Sequence, residues 1–276
     1  MSDAPIQEIV IEPRGNLVGL ELRELWHYRE LWRFLVVRDI KVRYKQTILG
    51  GLWALLQPFM SMIVFTIFFG NLAKIPSDGL PYPIFVYTAL LPWQFFSGGI
   101  SSSGNSLIAN SHLISKVYFP RMIIPAASLG AGFLDFLIAF VILLIMMVYY
   151  GIFPGAALLF FPFLMILVAL ASLGVGMILA ALNVSYRDFR YVIPFLVQFW
   201  LFATPVIYPA SMVPEQWRWL INLNPMAGLI TGIRSSLLNL PISWTDIWIS
   251  GTISLLLFVI GIFFFKKMER RFADII

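Results

Sequence analysis

The sequence predicts an all-α integral membrane protein. It would have six transmembrane helices, an N-terminal amphipathic interfacial helix, and a short re-entrant helix pair between spans five and six. Three observations carry this. First, hydrophobic residues are 60% and charged residues 12% of the 276, and mean hydropathy is +0.87. A soluble surface needs far more charge, whereas lipid accepts apolar side chains on every side of a helix. Second, apolar stretches near the roughly 20 residues that a bilayer requires recur along the chain. Third, all of the 19 Lys and Arg except Lys74, Arg218 and Arg234 fall in segments that six spans would place on one side. That is the positive-inside bias of a membrane protein, and it accounts for the net charge of +5 without nucleic acid.

Residues 1 to about 20 are polar and contain Pro5, Pro13 and Gly15, so an extended cytoplasmic tail is expected. No short apolar core with a cleavage site follows, and no removable signal peptide is expected. Leu22 to Lys45 reads as an interfacial helix, because Leu25, Tyr28, Trp32, Leu35 and Val36 recur at three- and four-residue steps. The same pattern also fits an amphipathic helix packed on protein. Charge then stops. Arg38, Asp39, Lys41, Arg43 and Lys45 give way to an apolar run from Ile48 to Phe69, with Gly50 and Gly51 at the junction to permit a bend. Residues 1–46 thus form a tail and helix ahead of a membrane domain, 47–276.

The six spans are placed at about 52–72, 84–108, 123–150, 158–182, 193–208 and 247–265. An even number puts both basic termini on the cytoplasmic side. Between spans five and six, 209–241 is too polar for a simple span and too apolar for a free loop. Pro214 opens one short helix, Asn224-Pro225 breaks it, and Met226 to Leu238 gives a second one interrupted by Gly228 and Gly232. Such a pair would dip into the outer leaflet, buried in protein or facing water, with Trp217 and Trp219 at the outer interface.

Several chemistries lack their residues. There is no cysteine, and the two histidines, His27 and His112, lie far apart in sequence, so no metal cluster is expected. No G-x-x-x-x-G-K-[ST] occurs, so ATP would have to be held by another polypeptide. The cluster Ser97 to Ser106 in span two could supply a nucleophile to an intramembrane hydrolase, but no histidine lies in a span, and small residues more commonly serve close helix packing. Asp135, mid-span with no Lys or Arg at the middle of another span, is expected to make a structural hydrogen bond or stay neutral. The loop Asn110 to Pro120, NSHLISKVYFP, is compact with a helical middle and is a candidate docking element. Ser185 to Arg190, with Arg187 and Asp188, is a weaker one. Aromatic residues, 16% of the chain, crowd spans one and five. They serve either as packing bulk or as a lining on which the C–H faces of sugar rings could stack and slide.

Four ordered pieces carry a resemblance. They are RDIKVRYKQTILGGLWALLQP at 38–58, LISKVYFPR at 113–121, YRDFRYVIPFLVQFWLFATPVIYP at 186–209 and LNPMAGLITGIRSSLL at 223–238. Together they resemble the polysaccharide-exporting ABC transporter permeases of O-antigen, capsule and teichoic-acid export. The resemblance implies a type 2 exporter fold in the inner membrane, in which two copies form a channel for lipid-linked polysaccharide and two ATPase subunits bind ATP and Mg. It makes the N-terminal helix a gate helix whose Arg38, Lys41, Arg43 and Lys45 would meet the phosphates of the lipid-linked substrate. Anionic lipid headgroups would call for the same charges. It makes His112, Leu113, Ile114, Ser115, Lys116, Val117 and Tyr118 a coupling helix. It sets spans one and five along the polymer path, with Trp53, Phe59, Phe65, Phe199, Trp200 and Tyr208 as candidate lining. A small-lipid or drug exporter of the same fold is the alternative within the class.

Overall fold

A computed structural model describes residues 22–45 and 50–275, so the expected N-terminal tail lies outside the described residues. Those residues contain helices and no strand. The N-terminal helix is split at Tyr28 into α1 (Leu22–His27) and α2 (Arg29–Lys45). After Gly50, whose φ of +47° suits a residue without a Cβ, α3 (Leu52–Phe65) runs into a π-helical turn, Thr66–Leu72. α4 (Tyr82–Ala109), the short α5 (Ser111–Lys116) and α6 (Ile123–Tyr150) follow. α7 (Phe161–Ser185) is entered through a 3₁₀ turn, and then come α8 (Phe189–Phe202), α9 (Glu215–Asn222), α10 (Pro225–Leu238) and the long α11 (Trp244–Ile275).

Four helical stretches are long and apolar enough to cross a membrane: Leu52–Leu72, Ile123–Tyr150, Ala156–Ser185 and Trp244–Glu269. They coincide with expected spans one, three, four and six. The other two expected spans differ in character. Span two falls on α4, which is 28 residues long and has most of its residues buried. Its Gln94 and Ser97–Ser106 lower its hydropathy, because its neighbours are chiefly other helices: α3, α6, α7, α8 and α10 surround it. Span five was placed at 193–208, but α8 starts at Phe189 and stops at Phe202 after 14 residues. The chain there meets Thr204-Pro205. A residue before proline is driven out of the helical region, and proline cannot continue the hydrogen-bond ladder.

Close approach of backbones holds the bundle together, as expected where lipid removes the hydrophobic drive between helices. The small-residue cluster of span two does this. Gly99 lies against Ser172, and a Cβ on Gly176 would sit 2.5 Å from the Ser103 Cβ. The serines bond inward: Ser103 donates to the Pro125 carbonyl at 3.0 Å and Ser172 to the Phe96 carbonyl at 2.9 Å. Ser103 also meets Ser128, and Ser106 donates to the Ser103 carbonyl. These partners are carbonyls and hydroxyls, not a base that would activate a nucleophile.

The segment before α11 corrects one expectation. α10 is continuous through Gly228 and Gly232, and nearly all of it is buried. These glycines are contact points with α11, the first against the Asp246 backbone and the second 2.9 Å from the Ile247 side chain for an added Cβ. α9, in contrast, leaves Trp217 and Trp219 exposed.

Two apolar cores result. The larger follows α4, α6, α7 and α10. The smaller gathers Leu35 of α2, Ile114 of α5, Phe119, Met177 of α7, and Phe265 and Phe272 of α11. It joins the N-terminal helix, the 110–120 loop and the C-terminal helix at one end of the molecule.

Candidate functional site

α2 does not stand apart from the bundle. Leu35 is buried, and Val36 packs where Gly130 of α6 has no Cβ. The helix then follows α6 far enough to bring Arg43 and Tyr44 to Asp135. Asp135 is twelve residues into α6, roughly 18 Å along it at 1.5 Å per residue. The sequence offered no mid-span cation for Asp135. The structure supplies one from the helix ahead of span one, so the carboxylate is paired with Arg43 and accepts from the Tyr44 hydroxyl. Burial, reinforced by that carboxylate, pushes the Tyr44 phenol up to about 12, so it stays a proton donor at neutral pH.

The four cations expected to contact phosphate therefore fall into two groups. Arg38 bonds Asp39 at 2.7 Å, and Arg43 is taken by Asp135. Lys41 and Lys45 are exposed and have no carboxylate within salt-bridge reach among the described residues. On the same helix Phe34, Val37 and Val42 are exposed apolar residues, and Trp26 of α1 is exposed as well. An amphipathic helix that turns both cations and large apolar groups outward suits a lipid interface.

Beside the Arg43–Asp135 pair lies a cavity of about 450 Å³ between α2, α3, α4 and α6. Its wall includes Trp53 and Gln57 of α3, Gln94 and Ser102 of α4, and Phe136 of α6. Of these, Trp53 was singled out from sequence as a path residue and Ser102 only as part of the Ser97–Ser106 cluster. Two glutamines inside otherwise apolar helices were the available signal, since an amide at that depth needs a partner or water.

α5 is the second feature. Ile114 and Phe119 are buried in the smaller core and anchor the loop, while His112, Ser115, Lys116, Val117 and Tyr118 are exposed, Tyr118 at 59%. Leu113 is half-buried. Arg121 steadies the far end through its backbone N–H to the Glu269 carboxylate at 3.1 Å and its guanidinium to the Glu269 carbonyl at 2.9 Å. Arg187 and Asp188 are exposed as well. The result is a braced projection that keeps its polar and aromatic surface outward.

The aromatic residues expected along a path are not all on one surface. Trp53 is 57% and Phe199 69% exposed, and Phe199 continues a ladder with Tyr191, Phe195 and Phe202 on α8. Phe59, Phe65 and Tyr208 are half-buried against the larger core. Trp200 turns inward, edge-on to Phe96 at 5.1 Å, with its indole N–H donating to Asn224 at 3.0 Å.

Asn224 was read from sequence only as a helix breaker, yet it ties α8 to α10. Its Oδ1 accepts from Trp200 and from the Met226 backbone, and its Nδ2 donates to the Ala203 carbonyl and Thr204 Oγ1 at 3.2 and 2.8 Å. Every hydrogen-bonding position of the amide is used. Arg234 was grouped from sequence with the cations of the outer side. It is instead buried, 3% exposed, with its guanidinium 3.7 Å over the Phe85 ring and donating to the Pro205 and Val206 carbonyls. Tyr82 donates to the next carbonyl, Ile207. Asn224, Arg234 and Tyr82 thus fix the backbone that leaves α8. Asn224→Ala is expected to lower stability by about 2 kcal/mol, from lost bonds and a stranded indole N–H. Asn224→Asp keeps the Oδ1 acceptor but turns an anionic oxygen toward the Ala203 carbonyl and toward Thr204 Oγ1, whose hydroxyl already donates to the Trp200 carbonyl, so it should lose at least as much. Thermal unfolding of the purified protein followed by tryptophan fluorescence checks the order.

The fold and these surfaces define a polytopic α-helical membrane protein with a braced projection at one end. Residues 30–238 match the family model described as ABC-2 type transporter, and the chain belongs to that family. It is 30% identical over 250 residues to an O-antigen export system permease protein of Klebsiella pneumoniae, covering 89% of this chain and 96% of that protein. A Myxococcus xanthus protein of the same name is 31% identical over 217 residues, 78% of this chain and 82% of that protein. A polysialic acid transport protein of Escherichia coli is 23% identical over 209 residues, 74% and 80% of the two chains.

Proposed function

We propose that this chain is the membrane permease subunit of an ATP-driven exporter of lipid-linked polysaccharide, with O-antigen as the foremost cargo and capsule or teichoic acid as the alternatives. The names of the relatives support the cargo class. The observation that carries the mechanism is α5. A short helix rooted in a core shared with α2 and α11, with Lys116, Val117 and Tyr118 facing outward, is built to receive force from a soluble partner and pass it to the N-terminal helix. Packed interiors transmit displacement because they are dense.

In this reading the chain crosses the inner membrane six times, with α4 and the α8 region completing the count. Both termini and α5 are cytoplasmic, in keeping with the placement of Lys and Arg. Two copies assemble around a path between the exposed faces of α3 and α8, where Trp53 and Phe199 offer rings for sugar faces to slide over. α9 and α10 shape the outer exit. Two ATPase subunits supply ATP and Mg chemistry and press on α5, with Arg187 and Asp188 as a second contact. Lys41 and Lys45 are the cations free to meet substrate phosphates or anionic headgroups.

Co-purification with an ATP-binding-cassette ATPase co-expressed from the same organism tests the reading, followed by ATP turnover with and without lipid-linked glycan. A stable complex stimulated by glycan is expected. Tyr118→Ala together with Lys116→Glu should reduce recovered ATPase by roughly tenfold, the effect of about 1.4 kcal/mol at a contact. No complex with the unaltered chain overturns the assignment. Removing the charges of Lys41 and Lys45 should lower surface polysaccharide, and unchanged export would discard the phosphate contact.

A further inference from the structure

We infer that the cavity between α2, α3, α4 and α6 is a binding site for a single neutral sugar unit, adjoining the exposed face of α3 at Trp53 and separate from the aromatic ladder of α8. The inference rests on the exporter reading for the source of that sugar, a unit of the lipid-linked glycan, and on the cavity itself for the chemistry.

Size comes first. About 450 Å³ lies in the lower part of the range for small-molecule pockets, roughly 300–1,000 Å³. It suits one sugar unit.

Charge comes second. Arg43 is the cation in the wall, and it is paired with Asp135. The site therefore carries a balanced pair and no surplus positive charge to hold a phosphate, for which bidentate arginine would have to be free. A neutral ligand fits this balance, and an anionic headgroup does not.

Hydrogen-bonding capacity comes third. The side-chain amides of Gln57 and Gln94 and the hydroxyl of Ser102 border the cavity, and none has a hydrogen-bond partner among the described residues. An amide brings two donors and an acceptor with two lone pairs. Two amides and a hydroxyl match the alternating donors and acceptors of a polyol. They do not match an acyl chain, which would leave them without partners in an apolar contact. Trp53 and Phe136 add ring faces to the same wall, and these pack against the C–H side of a pyranose while the amides take its hydroxyls.

The location gives the site a role. Tyr44 and Arg43 belong to α2, Trp53 and Gln57 to α3. A sugar seated there bridges the N-terminal helix and the first span across the Gly50 bend. It would register the first sugar of the cargo at the point where those two helices must move together.

Saturation-transfer NMR on the permease–ATPase complex in nanodiscs tests this. Glucose, galactose, mannose, rhamnose and N-acetylglucosamine serve as separate probes, with inorganic pyrophosphate as competitor. At least one sugar should receive saturation. Gln57→Ala and Gln94→Leu should each weaken its binding roughly two- to tenfold, the worth of a neutral hydrogen bond, and pyrophosphate should not displace it. Gln57→Ala, on an exposed position, keeps the test available if Gln94→Leu does not fold, which elution profile and melting report. The inference is overturned if no sugar of the five binds, if both variants bind as the unaltered chain does, or if pyrophosphate displaces the signal. Surface polysaccharide is measured separately in cells, so loss of the cavity proposal with export intact is told apart from failure of the exporter reading.

Discussion

Gly174→Val is expected to leave little folded protein in the membrane. A Cβ on Gly174 would lie 2.5 Å from the Leu257 carbonyl oxygen, 2.6 Å from its carbon and 2.7 Å from Phe258 Cα. All three are backbone atoms of α11, so no side chain can rotate away. The partner position is as tight, because a Cβ on Gly261 would come 2.8 Å from Gly174 Cα. Relief requires α7 and α11 to separate, which breaks the seam that joins them. Overpacking a core with room to adjust costs about 1–3 kcal/mol, and this seam has none, so the loss should reach or exceed the top of that range. A loss of that size exhausts much of a typical folding stability. Gly132→Ala is the comparison, since its new methyl would meet the Phe95 ring at an ordinary 3.8 Å. Recovery from detergent-solubilised membranes and the melting temperature of what is recovered separate the two. Normal recovery of Gly174→Val would mean that α7 and α11 are not joined by backbone contact.

Such contacts were only partly legible in sequence. The spans most clearly marked there, at 52–72 and 123–150, recur in the structure with the same bounds, because the first is a long uncharged run and the second is broken by a single charge, Asp135. Gly50 and Gly51 announced the first one, and the Gly-Ser run of α4 announced its packing. The fifth span was drawn too far because aromatic and aliphatic residues continue through Val206 and Ile207, while Pro205 sets the backbone. Gly228 and Gly232 were read as interruptions because propensity speaks of the isolated helix. Tertiary contact with α11 supplies what they lack, and their missing side chains are what permit it.

Site residues show the same division. The exposed run around Lys116 and Tyr118 was visible because a short polar segment between two apolar ones has few places to go. Phe199 and Trp200 could not be told apart, although consecutive residues on a helix point about 100° apart. Only the packing shows that one faces out and the other is bonded to Asn224. Asp135 stood out as an expensive residue, but its partner is 92 positions away on a helix that the sequence placed at the interface. Pairing over that distance leaves no periodic trace. Arg234 is a parallel case, since an arginine in a connecting segment gives no sign that an aromatic ring and two carbonyls will bury it.

The Arg43–Asp135 pair makes the second large prediction. Asp135→Arg should detach the end of α2 from α6. It removes an attraction and places a second guanidinium against Arg43. The two side chains are 39% and 29% exposed, so water screens them and the cost lies between the surface and buried limits. About 2–4 kcal/mol is expected for the reversal, since attraction is lost and repulsion gained. Tyr44 would lose its acceptor in the same step. Two double variants then separate charge from geometry. Arg43→Asp with Asp135→Arg restores an opposite pair and should recover most of the melting temperature. Arg43→Met with Asp135→Leu removes both charges and should recover it too, because an apolar pair of similar size often replaces an ion pair without loss. If export, read as surface polysaccharide, returns with both doubles, the pair serves to hold α2 in place. If it returns with the swapped charges alone, motion of α2 requires a bond that can open to water and close again. A single Asp135→Arg chain as stable as the unaltered one would show that α2 is held by its apolar face without this pair.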